Sequence, residues 1–262
     1  MRRTTDPVHA RADCAVVIGA SRGIGLALTR QLLHGGVNQV HAASRAPNDS
    51  KALLELLDRY PARLHTHTMD VTDEASAARA ASSVRERTGE VDFLIHCAGV
   101  LHGDWDGSSL SPERRLADVN AAALTHCFAV NSLGPLLSAK HFSPLFPRKS
   151  RVVLVNVSAR VGSISDNRLG GWYAYRASKA AQNMFTRNLS IELKRSYQGL
   201  ICVAFHPGTV TTELSAPFLS NVPPAQQISP DRAAQRMLLL VEGLDETDNG
   251  QFIGWDGQVI PW

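Results

Sequence analysis

Tyr175 and Lys179 stand four residues apart in the run YAYRASKAAQNMF, whose apolar and small residues recur at helical spacing. Side chains four apart lie one above the other on a helix, so the phenol and the ammonium share a face. A phenol near its ordinary pKa of about 10 exchanges protons sluggishly at neutral pH, and an adjacent ammonium stabilises the phenolate and brings the group toward useful values. The pair is therefore expected to work as an acid or base, Tyr175 handling the proton and Lys179 supplying the charge. Tyr173 has Ala177 four residues on and lacks such a partner.

A second constellation precedes it. The run AVVIGASRGIG at 15–25 joins an apolar, β-branched stretch directly to an amphipathic one, with glycines at 19, 23 and 25. Gly19 permits a tight turn, Gly23 lets the backbone approach a pyrophosphate, and Gly25 allows close helix packing while the helix N-terminus faces the anion. This pattern predicts a dinucleotide cradle. At the end of the second strand an acid would accept hydrogen bonds from a ribose 2′-hydroxyl, but the sequence there is HAASRAP. Ser44 and Arg45, with Arg22 opposite, suit a 2′-phosphate instead, so NADPH/NADP+ is expected over NADH.

The elements that must position these groups alternate in type. Short β-branched runs at 14–19, 39–43, 64–69, 91–96, 151–157, 200–205 and 251–253 read as strands, separated by helix-period segments, the pattern of βαβ units and a parallel sheet. Ile24, Ala27, Leu28 and Leu32 form one helical face that Gly35 and Gly36 terminate, and Asp73 is placed to cap a later helix. The helix carrying Tyr175 is expected over 172–195, with Ala177, Ala180, Ala181, Met184, Phe185 and Leu189 on its apolar side. Residues 207–230, rich in proline, are either a substrate lid or a loose connection.

Composition sets limits. A chain of 262 residues with 44% hydrophobic and 19% charged residues can bury one sizeable α/β core. The expected layout is a flexible tail over 1–12 and a single domain over 13–262. The surplus of 27 basic over 24 acidic residues could help hold one polyanionic small ligand but is no nucleic-acid footprint. No apolar stretch near the start reads as a signal peptide or membrane helix. The four cysteines lie far apart, mostly inside apolar runs, which fits free thiols and a cytoplasmic location. His65 and His67 share a strand face without further ligands at metal spacing, so no metal is expected.

From about Cys14 to Trp262 the sequence resembles the short-chain dehydrogenase/reductase family. GASRGIG, from Gly19 through Ser21 and Ile24 to Gly25, resembles its cofactor loop, and Asp70 with Val71 its adenine-contacting pair. HCAG, with Ala98 and Gly99, resembles its NNAG, Asn131 its helix asparagine, and YRASK its YxxxK. HPGTVTT resembles the PG segment, with Pro207, Gly208, and Val210 and Thr212 on the nicotinamide carboxamide. NVSARVGSISDNRLGGWYAYRASKAAQNM and GWDGQVIPW further resemble the sniffer-type carbonyl reductase and C-factor branch.

The resemblance implies a doubly wound Rossmann-type domain with a seven-stranded parallel sheet of order 3-2-1-4-5-6-7 and the cofactor at the switch between strands 1 and 4. It implies hydride transfer to a small-molecule aldehyde or ketone, or the reverse from an alcohol, with Tyr175 as acid, Lys179 also on the nicotinamide ribose, and Asn131 anchoring a relay water. It also implies a homodimer or homotetramer. The pattern departs in one place: the second of two serines ending the fifth strand is Ala159. Ser158 and Ser163 are both retained as the substitute, and Ser165 is less favoured. Because of that gap, a catalytically weak NADP(H)-binding regulatory protein of C-factor type stands as the alternative.

Overall fold

In a computed structural model the structure describes residues 12–262, and residues 1–11 of the expected tail lie outside the described residues. Ala12 is buried against the core. Seven strands form one parallel sheet: β1 (Cys14–Ile18), β2 (Gln39–Ser44), β3 (Leu64–Thr68), β4 (Phe93–His96), β5 (Arg151–Val157), β6 (Gly199–His206) and β7 (Phe252–Gly254). Their order is 3-2-1-4-5-6-7, as expected. All six pairings are parallel, and the register sets Ile18 beside both Ala43 and His96.

A parallel sheet is covered on both faces, which is why β1 reads CAVVI without alternation and is buried throughout. Ala15 and Val17 point into a core shared with Leu28, Leu32 and Met237, from the helices α1 (Gly23–His34) and α7 (Pro230–Gly243). Val16 and Ile18 point the other way, toward Val84 of α3 (Glu74–Thr88), Phe142 of α5 (Gly134–Phe142) and Leu189 of α6 (Tyr173–Lys194). The short α2 (Lys51–Arg59) joins β2 to β3, and α4 (Ala121–Phe128) runs through a π turn at Ala129–Leu133 into α5. Asp73 caps α3 by accepting from the Ala75 N–H, as expected.

Chain direction reverses its progress across the sheet at β1, whose neighbours are β2 and β4. A crevice opens there beyond the carboxyl ends of the strands, where ligands of such sheets bind. The glycine run, Arg45, the segment after His96, and residues 158–162 and 207–212 all leave the sheet at that edge. Residues 207–230 are folded rather than loose: Thr209–Val210 pairs in parallel with Gln227–Ile228, and 3-10 turns fill the interval.

Helix α6 corrects one expectation. Met184 stays exposed and Ala177 faces solvent, whereas the buried face carries Tyr175, Ser178, Lys179, Gln182, Asn183 and Thr186. That polar face is buried because each group finds a partner. Asn183 accepts from Ser158, Thr186 accepts from Asn156, and the Ser178 carbonyl accepts from Ser132.

Candidate active site

The crevice is a cleft of about 920 Å³. Gly19, Ser21, Arg22, Gly23, Ile24 and Gly25 line its floor; Ser44, Arg45, Asp70 and Val71 line one end; Ala98 and Gly99 lie along its middle. Pro207, Gly208, Val210 and Thr212 line the cleft together with Tyr175 and Lys179. Thus nearly every site residue expected from the sequence reaches one cleft. Asn131 and Ser163 are not among its walls.

Gly19 and Gly25 occupy places that a side chain could not. Gly19 has φ +85°, and a Cβ there would lie 2.6 Å from the Ala98 backbone nitrogen; one on Gly25 would lie 2.2 Å from the Gly19 carbonyl oxygen. The loop can be this tight only without side chains. Arg22 makes an exposed ion pair with Glu213, tying the loop to the 207–230 segment. Ser44 Oγ is buried without a hydrogen-bond partner, in the cleft wall beside Arg45. An orphaned hydroxyl next to an exposed guanidinium is what a phosphate oxygen would satisfy, so the residues present fit a 2′-phosphorylated dinucleotide.

Lys179 is buried, and its ammonium donates to the Val157 carbonyl and to Gln182 Oε1, both at 2.9 Å. Its Nζ lies 5.9 Å from the centre of the Tyr175 ring. Behind the pair, Asn131 sits in the π turn, a distortion that often marks functional positions. Its amide donates to the Val100 carbonyl and accepts from the Val100 N–H, each at 2.8 Å, and also donates to Ser178 Oγ and Cys127 Sγ. The side chain thereby pins the turn after β4 against α4 and α6.

A sequence profile described as short chain dehydrogenase matches residues 13–222. The chain belongs to the short-chain dehydrogenase family. It is an NAD(P)-dependent dehydrogenase or reductase. An NADPH-bound carbonyl reductase from chicken fatty liver is similar in structure, with 30% identity, a TM-score of 0.84, and coverage of 96% of this chain and 99% of that one. A 1-hydroxy-2-glutathionyl-2-methyl-3-butene dehydrogenase of a Rhodococcus strain is 30% identical, covering 94% of this chain and 98% of its own. The C-signal protein of Myxococcus xanthus is 35% identical over 175 residues, 67% of this chain and 95% of its own.

In this short-chain dehydrogenase, electrostatics around the pair differ from the simple expectation. Burial, reinforced by nearby Cys127, pushes the Tyr175 phenol above its ordinary value, and the same burial pushes Lys179 down to about 8. Burial therefore sets the direction, and the phenol holds its proton at neutral pH. His96 stands where the family has an asparagine; it is buried against Ser138, and burial pushes it down to about 3, leaving a neutral structural ring.

The two serines go separate ways. Ser158 lines the cleft, yet its hydroxyl donates to Asn183 Oδ1 at 2.6 Å. Ser163 donates to the Pro261 carbonyl and accepts from the Asp166 N–H, facing the chain's end. Ala159 packs with Tyr175, Leu101, Val161, Trp172, Leu214 and Phe218. The substrate end of the cleft is thus apolar and aromatic, with the Trp172 and Phe218 ring centres 4.9 Å apart.

Three features escaped sequence reading. Glu113 is buried and caps α6: its carboxylate accepts from the Ala174 N–H at 3.2 Å and its carbonyl from the Trp172 N–H. Trp105 and His126, far apart in sequence, stack in the cleft wall. No local pattern could have signalled either contact. The Trp172 backbone, left-handed at φ 51°, also needs the tertiary frame.

Proposed function

We propose that this enzyme is an NADPH-dependent carbonyl reductase that gives an aldehyde or ketone a proton from Tyr175. The observation that carries the reading is a buried Tyr175 and Lys179 pair opening on the same cleft as the glycine cradle and the orphaned Ser44 hydroxyl. Bound NADPH supplies hydride; Gly19 to Gly25 would hold its pyrophosphate, Ser44, Arg45 and Arg22 its 2′-phosphate, and Val210 and Thr212 its carboxamide. The likeness to an NADPH-bound reductase supports the choice of cofactor.

Tyr175 acts as the acid. A phenol raised by burial keeps its proton until a carbonyl oxygen accumulates charge beside it, and that suits reduction better than alcohol oxidation. Lys179 has three N–H donors and uses two on Val157 and Gln182, so the third is free to hold the nicotinamide ribose and to feed the phenol. Asn131 serves the relay through its backbone. Its side-chain amide is engaged with Val100 and Ser178, which leaves the backbone carbonyl as the group that would meet the relay. That carbonyl can accept from a relay water. The apolar walls favour an uncharged carbonyl compound.

The same reading makes the protein cytoplasmic and a homo-oligomer. All four cysteines are free, no described helix is long and apolar enough to cross a membrane, and Met184 and Ile191 leave α6 with an uncovered apolar strip. A second reading, a weakly catalytic NADP(H)-binding regulator, rests on Ala159 and on the likeness to the C-signal protein.

Mixing the enzyme with NADPH and a panel of aldehydes and ketones decides between the two. The first reading expects carbonyl-dependent loss of absorbance at 340 nm, stronger with NADPH than with NADH by about tenfold or more, a difference of roughly 1.4 kcal/mol. Tight NADPH binding without oxidation by any carbonyl favours the second. Equal use of NADH removes the role given to Ser44 and Arg45.

A further inference from the structure

The hairpin of Gly103–Trp105 and Ser108–Leu110 turns at Asp106 and Gly107, both with positive φ, and faces Trp105 toward α4. The Trp105 and His126 rings stack with centroids 4.3 Å apart and an interplanar angle of 9°. Both side chains are half-buried and line the cleft. His126 lies one turn before Val130, which lines the same wall, and the charges of both Arg45 and Asp70 act on it. Val130 packs against the cluster that holds Val71, and Gly134, one turn further on, lies against the Val71 side chain, so the stack stands toward the end of the cleft where Ser44, Arg45, Asp70 and Val71 gather.

The charged groups there are already organised. The Asp70 carboxylate accepts from the Thr72 N–H and hydroxyl. Despite partial burial it is held below its usual range by these bonds and by Arg45 and His126. Burial and Arg45 push His126 down, so at neutral pH its ring is an uncharged aromatic surface. What this end adds to a phosphate-binding serine and arginine is a rigid, flat aromatic wall. Purine rings are recognised through such faces, because every base offers a π surface.

We propose that the Trp105 and His126 stack is a base-binding wall for the adenine 2′-phosphate half of the cofactor, completing the subsite that Ser44 and Arg45 begin. This inference rests on the NADPH reading above. It assigns a ligand contact to a hairpin that contributes nothing to the central sheet and whose exposed turn has no other evident work. Pre-stacking on His126 fixes the indole before the ligand arrives, so little side-chain freedom is lost on binding.

The test uses the two halves of the cofactor separately. Adenosine 2′,5′-bisphosphate is titrated by calorimetry into the wild type, Trp105→Ala, Trp105→Phe and His126→Ala, and nicotinamide mononucleotide into the same proteins. Trp105→Ala is expected to weaken the bisphosphate by about tenfold or more, with His126→Ala intermediate, Trp105→Phe close to wild type, and the mononucleotide unchanged throughout. Quenching of tryptophan emission by the bisphosphate is expected in the wild type and lost in Trp105→Phe. Wild-type affinity for the bisphosphate in Trp105→Ala overturns the proposal while leaving the NADPH reading standing. A wild type that binds no bisphosphate overturns both.

Discussion

On the proposed reading, a carbonyl oxygen between Tyr175 and the end of β5 would meet one hydroxyl where the family pattern supplies two. Ala159 faces that position from within the Tyr175 cluster, and the neighbouring Ser158 is turned to Asn183. A donor aimed at a developing oxyanion is worth about 10²–10³ in rate, so the missing hydroxyl should cap turnover. Ala159→Ser is accordingly expected to raise kcat/KM for a simple ketone by about tenfold or more in steady-state assays, with the KM for NADPH unchanged. No gain would mean that some other group already polarises the substrate. At this scale the sequence was most informative about which residues reach the cleft, among them the glycines, Arg45, Tyr175 and Lys179, and it misjudged the direction in which burial moves the Tyr175 phenol. It was least informative for hydroxyls, because whether a serine reaches substrate depends on which acceptor lies nearer.

Helix α6 holds its reactive side chains by a tertiary cap rather than a local one. Trp172 enters the helix in left-handed geometry with no side-chain cap, and Glu113 supplies the carboxylate that its first turn lacks. Removing a buried acceptor strands the Ala174 N–H beside Tyr175, at a cost of about 1–3 kcal/mol. Glu113→Ala should therefore lower the unfolding midpoint by several degrees and kcat with it, whereas Glu113→Gln, which keeps one oxygen, should retain most of both. Thermal unfolding and kinetics on the two variants check this, and equal behaviour of Ala and wild type would remove Glu113 from the account. The same helix shows where periodicity misleads. Its apolar residues suggest the inner face, but Ser178, Gln182, Asn183 and Thr186 are inside because partners on β5 and the π turn satisfy them. The π turn is likewise unreadable from AVNSL, since its geometry comes from fitting Asn131 to Val100.

For the molecule as a whole, the strand order and the position of the cleft were implied by the family resemblance, while most strands were legible because a parallel sheet buried on both faces favours continuous apolar runs. The folding of residues 207–230 and the Trp105 hairpin were not, because both are defined by what they pack over. Burial also leaves a signature on stability. His41 and His67 are hydrogen-bonded ring to ring at 2.8 Å, and burial pushes both down, as it does His96 and His206. These rings are neutral in the native state but take up protons near pH 6.5 once unfolded. Their contribution is thus complete above about pH 6.5 and is lost as pH falls toward 4, at up to about 1.4 kcal/mol per pH unit for each ring. The unfolding midpoint should fall steadily between pH 6.5 and 4; a flat profile would contradict the neutral, buried assignment.

The most direct measurement is on Tyr175→Phe, which keeps the buried ring and removes only the hydroxyl. Carbonyl-dependent NADPH oxidation is expected to fall by about 10²–10⁴ while NADPH affinity, read by nucleotide fluorescence, stays at the wild-type value. A variant that reduces carbonyls at the wild-type rate would show that the proton comes from elsewhere and would contradict the mechanism.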